Sequence, residues 1–224
     1  MTGELVAPDG GLPLILAARL LGQYRWVERR LFHILGEWVI NEPIPLLQRW
    51  FDVQSRYHGW HADLWGQRLP ALDGVDPESL TVPPSPDVER FLVALAGGAR
   101  RDGAEPLEDS SGGGGLLHLA GLSRVVLPRL ITGYAEHLRR VAPASDLAVA
   151  RTLRFVLQDE KEAWQEAEKL VQRHLHRPHD VAVVTAFQGQ LESFVVSAGP
   201  GIVPWPVPAP RGEGHSQEGA SPPR

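Results

Sequence analysis

Residues 14–40 read LILAARLLGQYRWVERRLFHILGEWVI, and the architecture of the chain can be built from this segment. Ala17, Leu21, Tyr24, Leu31, Leu35 and Trp38 recur at alternating steps of four and three. That spacing gathers them into one stripe of an α-helix, the kind of face that packs into a bundle. One position in the stripe, Glu28, is an acid. Pro13 suits the first helical turn, where its missing N–H would have no partner. Pro43 and Pro45, two residues apart, cannot be carried inside a helix and end this one near Ile40.

Beyond it, a second helix is predicted from about Pro45 to Arg68, stopping before Pro70. A connection rich in Pro, Gly, Asp and Ser comes next, with one short helical segment at 87–96. A third long helix runs from about Leu116 to Val141 with Pro128 inside it, which should bend it. A fourth covers 146–174 and a fifth 180–197. The division is one helical domain at 14–198, a flexible Gly/Ser-rich insertion at 97–115 and a disordered Pro/Gly-rich tail at 199–224. Short loops make the first and second long helices antiparallel neighbours, and likewise the third and fourth. The long link can cross the length of the bundle and leave the second parallel to the third. The expected fold is all-α: an up-down four-helix bundle of two antiparallel hairpins with a long crossover, plus an extra C-terminal helix.

Composition narrows the function. There is no cysteine, so any metal must be held by carboxylates, imidazoles or backbone oxygens. The formal net charge is −5, with basic residues scattered among acidic ones, so nucleic acid is not an expected partner. Apolar runs are interrupted well short of the roughly 20 residues of a membrane span, and no basic n-region opens the chain. A soluble, cytoplasmic protein is the expectation. The four glycines at 112–115 lack the Lys-Ser/Thr ending of a phosphate loop.

The fourth long helix repeats the pattern of the first: Ala150, Leu153, Leu157, Trp164, Ala167 and Val171 flank a single acid, Glu160. The second carries an apolar stripe at Leu46, Trp50, Val53, Tyr57, Trp60 and Leu64. Beside it runs a half-polar one at Leu47, Phe51, Gln54, His58, His61 and Trp65. His58 and His61, three apart, share one face. Residues equidistant from a hairpin turn lie at one height. Glu28 is fifteen residues before Pro43 and His58 fifteen after it, so the two should be level, with His61 about 4.5 Å further along. By the same count Glu160 is level with Leu127. A buried carboxylate is costly without a cation, a metal or donated hydrogen bonds, so two such acids in apolar stripes need partners.

This layout, with Tyr24-Arg25-Trp26-Val27-Glu28 and His58-Gly59-Trp60-His61-Ala62-Asp63-Leu64-Trp65, resembles the ferritin-like superfamily over the four long helices. In its di-iron members the first and third helices each give a Glu, and the second and fourth each give Glu-x-x-His. On that resemblance Glu28, His61 and Glu160 match ligands. His58 stands where a Glu would be, Ala163 replaces a His, and the third-helix Glu is missing, with Leu127 nearest.

Two readings are open. Glu28, His58, His61 and Glu160 could hold a single iron or manganese ion, giving a mononuclear non-haem oxidase or hydroxylase for a small-molecule substrate. Alternatively the cluster binds no metal and fixes helix register in a scaffold or binding protein. In that case Glu160 would pair with an arginine such as Arg124 or Arg25. His118, His137, His174, His176 and His179 read as surface or helix-end residues, and the tryptophans other than Trp205 as filling between helices. A homodimer is the oligomer to consider.

Overall fold

The computed structural model describes residues 12–97, 114–142, 146–198 and 201–205. The chain is all-helical. Helix α1 spans Leu14–Asn41 and α2 spans Pro45–Gly66. A 3₁₀ turn at Pro77–Leu80 and helix α3 at Pro86–Gly97 lie in the connection. Helix α4 is Gly115–Gly121, α5 is Leu127–Arg140, α6 is Leu147–His174 and α7 is Pro178–Ala198. Among the described residues the only β-type pairing is an isolated bridge between Leu72 and Val75.

Between α4 and α5 the chain stays helical but widens into a π-turn at Leu122–Val126. Pro128 explains it. Proline offers no N–H to the carbonyl four residues back, and its ring crowds that carbonyl. The wider turn relieves the clash: the Leu127 N–H donates to the Leu122 carbonyl, five residues back, and Arg129 Nη1 donates to the Val125 carbonyl at 2.8 Å. The bend expected at Pro128 is therefore an inserted turn just ahead of it.

Helix directions are given by which ends meet. Leu14 and Ala17 of α1, Arg68 just past α2, Arg140 of α5 and Ala148 of α6 line one cavity of about 290 Å³. At the other end Trp38 of α1 stacks on His118 of α4, ring centroids 4.3 Å apart, and Leu46 of α2 faces Leu170 and Arg173 of α6 across a groove. So α1 and α6 run one way, while α2 and the helix through α4 and α5 run the other. The connection after α2 carries the chain from the first of these ends back to the second. Helix α7 packs on α3 and α4, with Phe187 and Leu191 closing against Gly121.

Three expectations change. Of the insertion expected at 97–115, residues 98–113 lie outside the described residues, whereas Gly97 ends α3 and Gly115 begins α4. Of the tail expected to be disordered from 199, residues 201–205 are described and are packed: Ile202 and Val203 are buried, and Trp205 lies against His137 and the Arg140 guanidinium. The short apolar run ahead of the prolines finds core surface to cover. Residues 206–224 lie outside the described residues. Finally, most of the first stripe on α2 lies outside the core, with Trp50 buried and Leu64 packed against it. Leu46, Val53, Tyr57 and Trp60 are 39–49% exposed, as is Trp164 of α6 at 40%.

The crossover is seated on α1 at Gly22, where a Cβ would come within 2.6 Å of the Leu80 carbonyl carbon. In an open helix, Gly→Ala stabilises by about 1 kcal/mol. Here the clash is with backbone, so Gly22→Ala is expected to destabilise by about 1–3 kcal/mol, read as a lowered denaturation midpoint.

Candidate metal centre

Glu28 from α1, His58 and His61 from α2 and Glu160 from α6 meet in the interior, each 0–2% exposed. The level count from the hairpin turn holds: His58 Nδ1 lies 2.5 Å from Glu28 Oε2. His61 Nδ1 is 3.6 Å from Glu28 Oε2 and 3.3 Å from Glu160 Oε1, and His58 Nδ1 is 3.5 Å from Glu160 Oε1. One ligand atom from each of the four lies within 4.8 Å of every other. The chain's two lone acids in apolar stripes and the two imidazoles of α2 thus converge on one point.

Neither arginine considered for Glu160 reaches it. Arg124 pairs with Glu168 at 2.8 Å, and Arg25 pairs with Glu78 at 2.6 Å. Both Glu160 oxygens and His61 Nδ1 are buried without a hydrogen-bond partner. They lie near enough to attract electrostatically but off the line of a hydrogen bond. Donor atoms that crowd one point without bonding to each other suit an ion between them. A transition metal with bonds of about 2.0–2.2 Å holds neighbouring donors roughly 3–4.4 Å apart. Three of the four measured separations fall in that range. The fourth, between His58 and Glu28, is a hydrogen bond that a metal would have to open. Glu28, His58, His61 and Glu160 could therefore hold a metal ion.

Two supporting residues were not legible in the sequence. The Tyr134 hydroxyl of α5 donates to Glu28 Oε1, which leaves Oε2 turned to the histidines. Asp159 Oδ2 accepts from His61 Nε2 at 3.1 Å. That contact puts the proton on Nε2 and presents Nδ1 to the cluster, the carboxylate–histidine arrangement that orients metal-binding imidazoles. Adjacency to Glu160 was the available signal for Asp159. Height counting pointed to Leu127 on the partner helix, and Leu127 is simply buried. Ala163, one turn beyond Glu160, is buried too and adds no ligand.

The electrostatics are set by burial against pairing. Burial alone would push the Glu28 carboxyl up, but His58 and His61 overcome it and hold it down at about 2. Burial works against both imidazoliums as well. Glu160 and Glu28 nevertheless raise His58, and the hydrogen bond to Asp159, together with the nearby Glu160 and Glu28 carboxylates, carries His61 well above its usual value. The Tyr134 phenol is raised by burial and by the two acids, so it stays a donor. The other histidines divide. His176 and His179 are exposed, and His174 Nδ1 donates to the Leu170 carbonyl at 2.9 Å near the end of α6. His118 is half-buried on Trp38, and His137, expected at the surface, is buried beside Tyr24 and Trp205, where desolvation lowers it to about 4.

Comparisons with protein-family models, with curated proteins and with solved structures gave no match. The site's own geometry yields a pH test on metal-free protein. Glu28, depressed from 4.5 to about 2 on folding, stabilises above pH 4.5 and loses that contribution as pH falls toward 2. His58 and His61, raised on folding, stabilise fully below pH 6.5 and lose it as pH rises through their folded values. Denaturation midpoints should therefore peak between pH 4.5 and 6.5 and fall on the alkaline side. His58→Ala, which strands the Glu28 charge, should cost about 3–5 kcal/mol and flatten the alkaline limb.

Proposed function

We propose that the chain is a ferritin-like four-helix-bundle protein whose interior binds one divalent metal ion, iron or manganese, and works as a mononuclear non-haem oxidase or hydroxylase on a small molecule. The observation that carries this reading is the convergence of two imidazole nitrogens and two carboxyl groups on one buried point, with His61 Nδ1 and both Glu160 oxygens unbonded.

Charge balance favours one ion over two. The two carboxyl groups can neutralise the charge of a single divalent cation. A second cation would leave net positive charge in an apolar interior, where uncompensated charge is costly. The third-helix acid and the fourth-helix histidine that a dinuclear centre would draw on are replaced by Leu127 and Ala163, both buried. Two histidines and carboxylate oxygen form the ligand set of iron centres that keep open positions for oxygen and substrate, and the bound metal would supply the redox chemistry. The protein's own contribution is positional. Asp159 fixes the His61 tautomer, Tyr134 turns Glu28, and burial of all four groups keeps bulk water away.

The 2.5 Å bond between His58 and Glu28 favours a second reading, a metal-free ion-pair lock inside a scaffold or binding protein. Elemental analysis separates the two. Protein purified without an affinity tag from iron- or manganese-supplemented culture is expected to carry near-stoichiometric metal, with Glu28→Ala and His61→Ala losing it. Uptake should strengthen as pH rises, because the imidazoles must shed their protons. Wild-type protein that holds almost no metal after supplementation selects the lock.

A further inference from the structure

The groove between the first half of α2 and the last half of α6 encloses about 620 Å³, within the size range of small-molecule sites. Its floor is Leu46, Trp50, Val53 and Leu170. Trp50 is 8% exposed, and its indole Nε1 is buried with no hydrogen-bond partner. Around the rim stand Arg49, Lys169 and Arg173 against one acid, Glu166. None of these four makes an ion pair among the described residues, although arginines elsewhere are paired at Arg25, Arg56, Arg124 and Arg129.

In a chain of formal charge −5, three unpaired cations around one apolar floor are a local excess of two positive charges. Apart from Glu166, the polar side chains at the rim are all donors: two guanidiniums and an ammonium. Such a site seeks an acceptor-rich head on an apolar body. The floor also continues. Tyr57 and Trp60, 41% and 49% exposed, come after Val53 at steps of four and three along the same face of α2.

We infer that this groove binds a small amphipathic anion, its carboxylate or phosphate head held by Arg49, Lys169 and Arg173 and its hydrocarbon chain laid along Leu46, Trp50 and Val53 toward Tyr57. No residue is shared with the metal cluster. Trp50 is eight residues from His58, about 12 Å along the helix, so either reading can fail alone.

Titration calorimetry with decanoate, decyl phosphate and decanol tests the assignment on full-length protein. Decanoate or decyl phosphate should bind, the tighter of the two naming the head group, and decanol at least about tenfold more weakly. Binding should weaken with added salt, as expected for exposed charges. The triple variant Arg49→Ala, Lys169→Ala, Arg173→Ala alters only exposed side chains and should lose at least about tenfold. Trp50→Phe trims the apolar floor from an indole to a phenyl ring and should lose about two- to tenfold. The assignment is overturned if neither anion binds by about 1 mM, if decanol binds equally well, or if the triple variant binds as wild type. A dimer by light scattering that takes up neither anion would show the groove covered by a second copy, and would overturn it as well.

Discussion

A carboxylate sealed inside an apolar core has to be answered from more than one direction, and Glu28 sets that demand for the whole molecule. It is fully buried, yet it is held more acidic than a carboxyl in water. Burial alone would do the opposite, so pairing with His58 and His61 has to outweigh desolvation. The compensation comes from other helices: His58 and His61 from α2 and the Tyr134 hydroxyl from α5, while Glu160 of α6 shares the same two imidazoles. A slip of one helix by a single turn, about 5.4 Å, would strand at least one of these charges. Register in this interior is therefore fixed by electrostatics as well as by the shapes of the apolar side chains around it.

The backbone features that deliver the four groups are local and identifiable. Pro45 restarts the helix after three intervening residues and sets α2 antiparallel to α1. Glu42 in that turn lies against the start of α4 at Gly115, tying the first hairpin to the arrival of the crossover. Pro128 forces the π-turn, and one extra residue in a turn rotates the later part of the helix by about 100°. Wide turns of this kind recur near functional sites. In this chain the Tyr134 side chain, two turns beyond Pro128, ends on Glu28.

The same cluster admits two occupants of equal charge. With protons on both imidazoles the two positive charges sit on the ring nitrogens. With a divalent ion bound they sit between those nitrogens, and the protons leave. Exchanging two protons for one metal leaves the net charge of the interior unchanged, so the surrounding apolar shell suits either state. This is why a structural ion-pair lock and a metal centre look alike here, and why metal content is the quantity that distinguishes them. Asp159 adds to both, since a carboxylate on His61 Nε2 stabilises an imidazolium and orients a ligand.

Much of this was local enough to read from the chain. Helix spans come from three- and four-residue periodicity and from proline positions, and the height match of Glu28 with His58 comes from counting outward from Pro43. Those are properties of one helix or one hairpin. Tyr134 escaped the count because Cα height ignores side-chain lean: helical side chains tilt toward the N-terminus, and a long phenol reaches back from a later residue. The two stripes on α2 could not be ranked from sequence, since one is apolar and the other half-polar with apolar ends, and only the neighbours α1, α5 and α6 decide which one is covered. Likewise Arg25 and Arg124 were free to choose among acids until the connection brought Glu78 to one and the length of α6 brought Glu168 to the other. The order of residues alone settles the helices, their ends and the level of the acids and imidazoles, because those depend on contacts a few residues apart. Which faces are sealed and which partner each charge meets is settled only when the helices assemble, because burial belongs to the whole interior and not to any one segment.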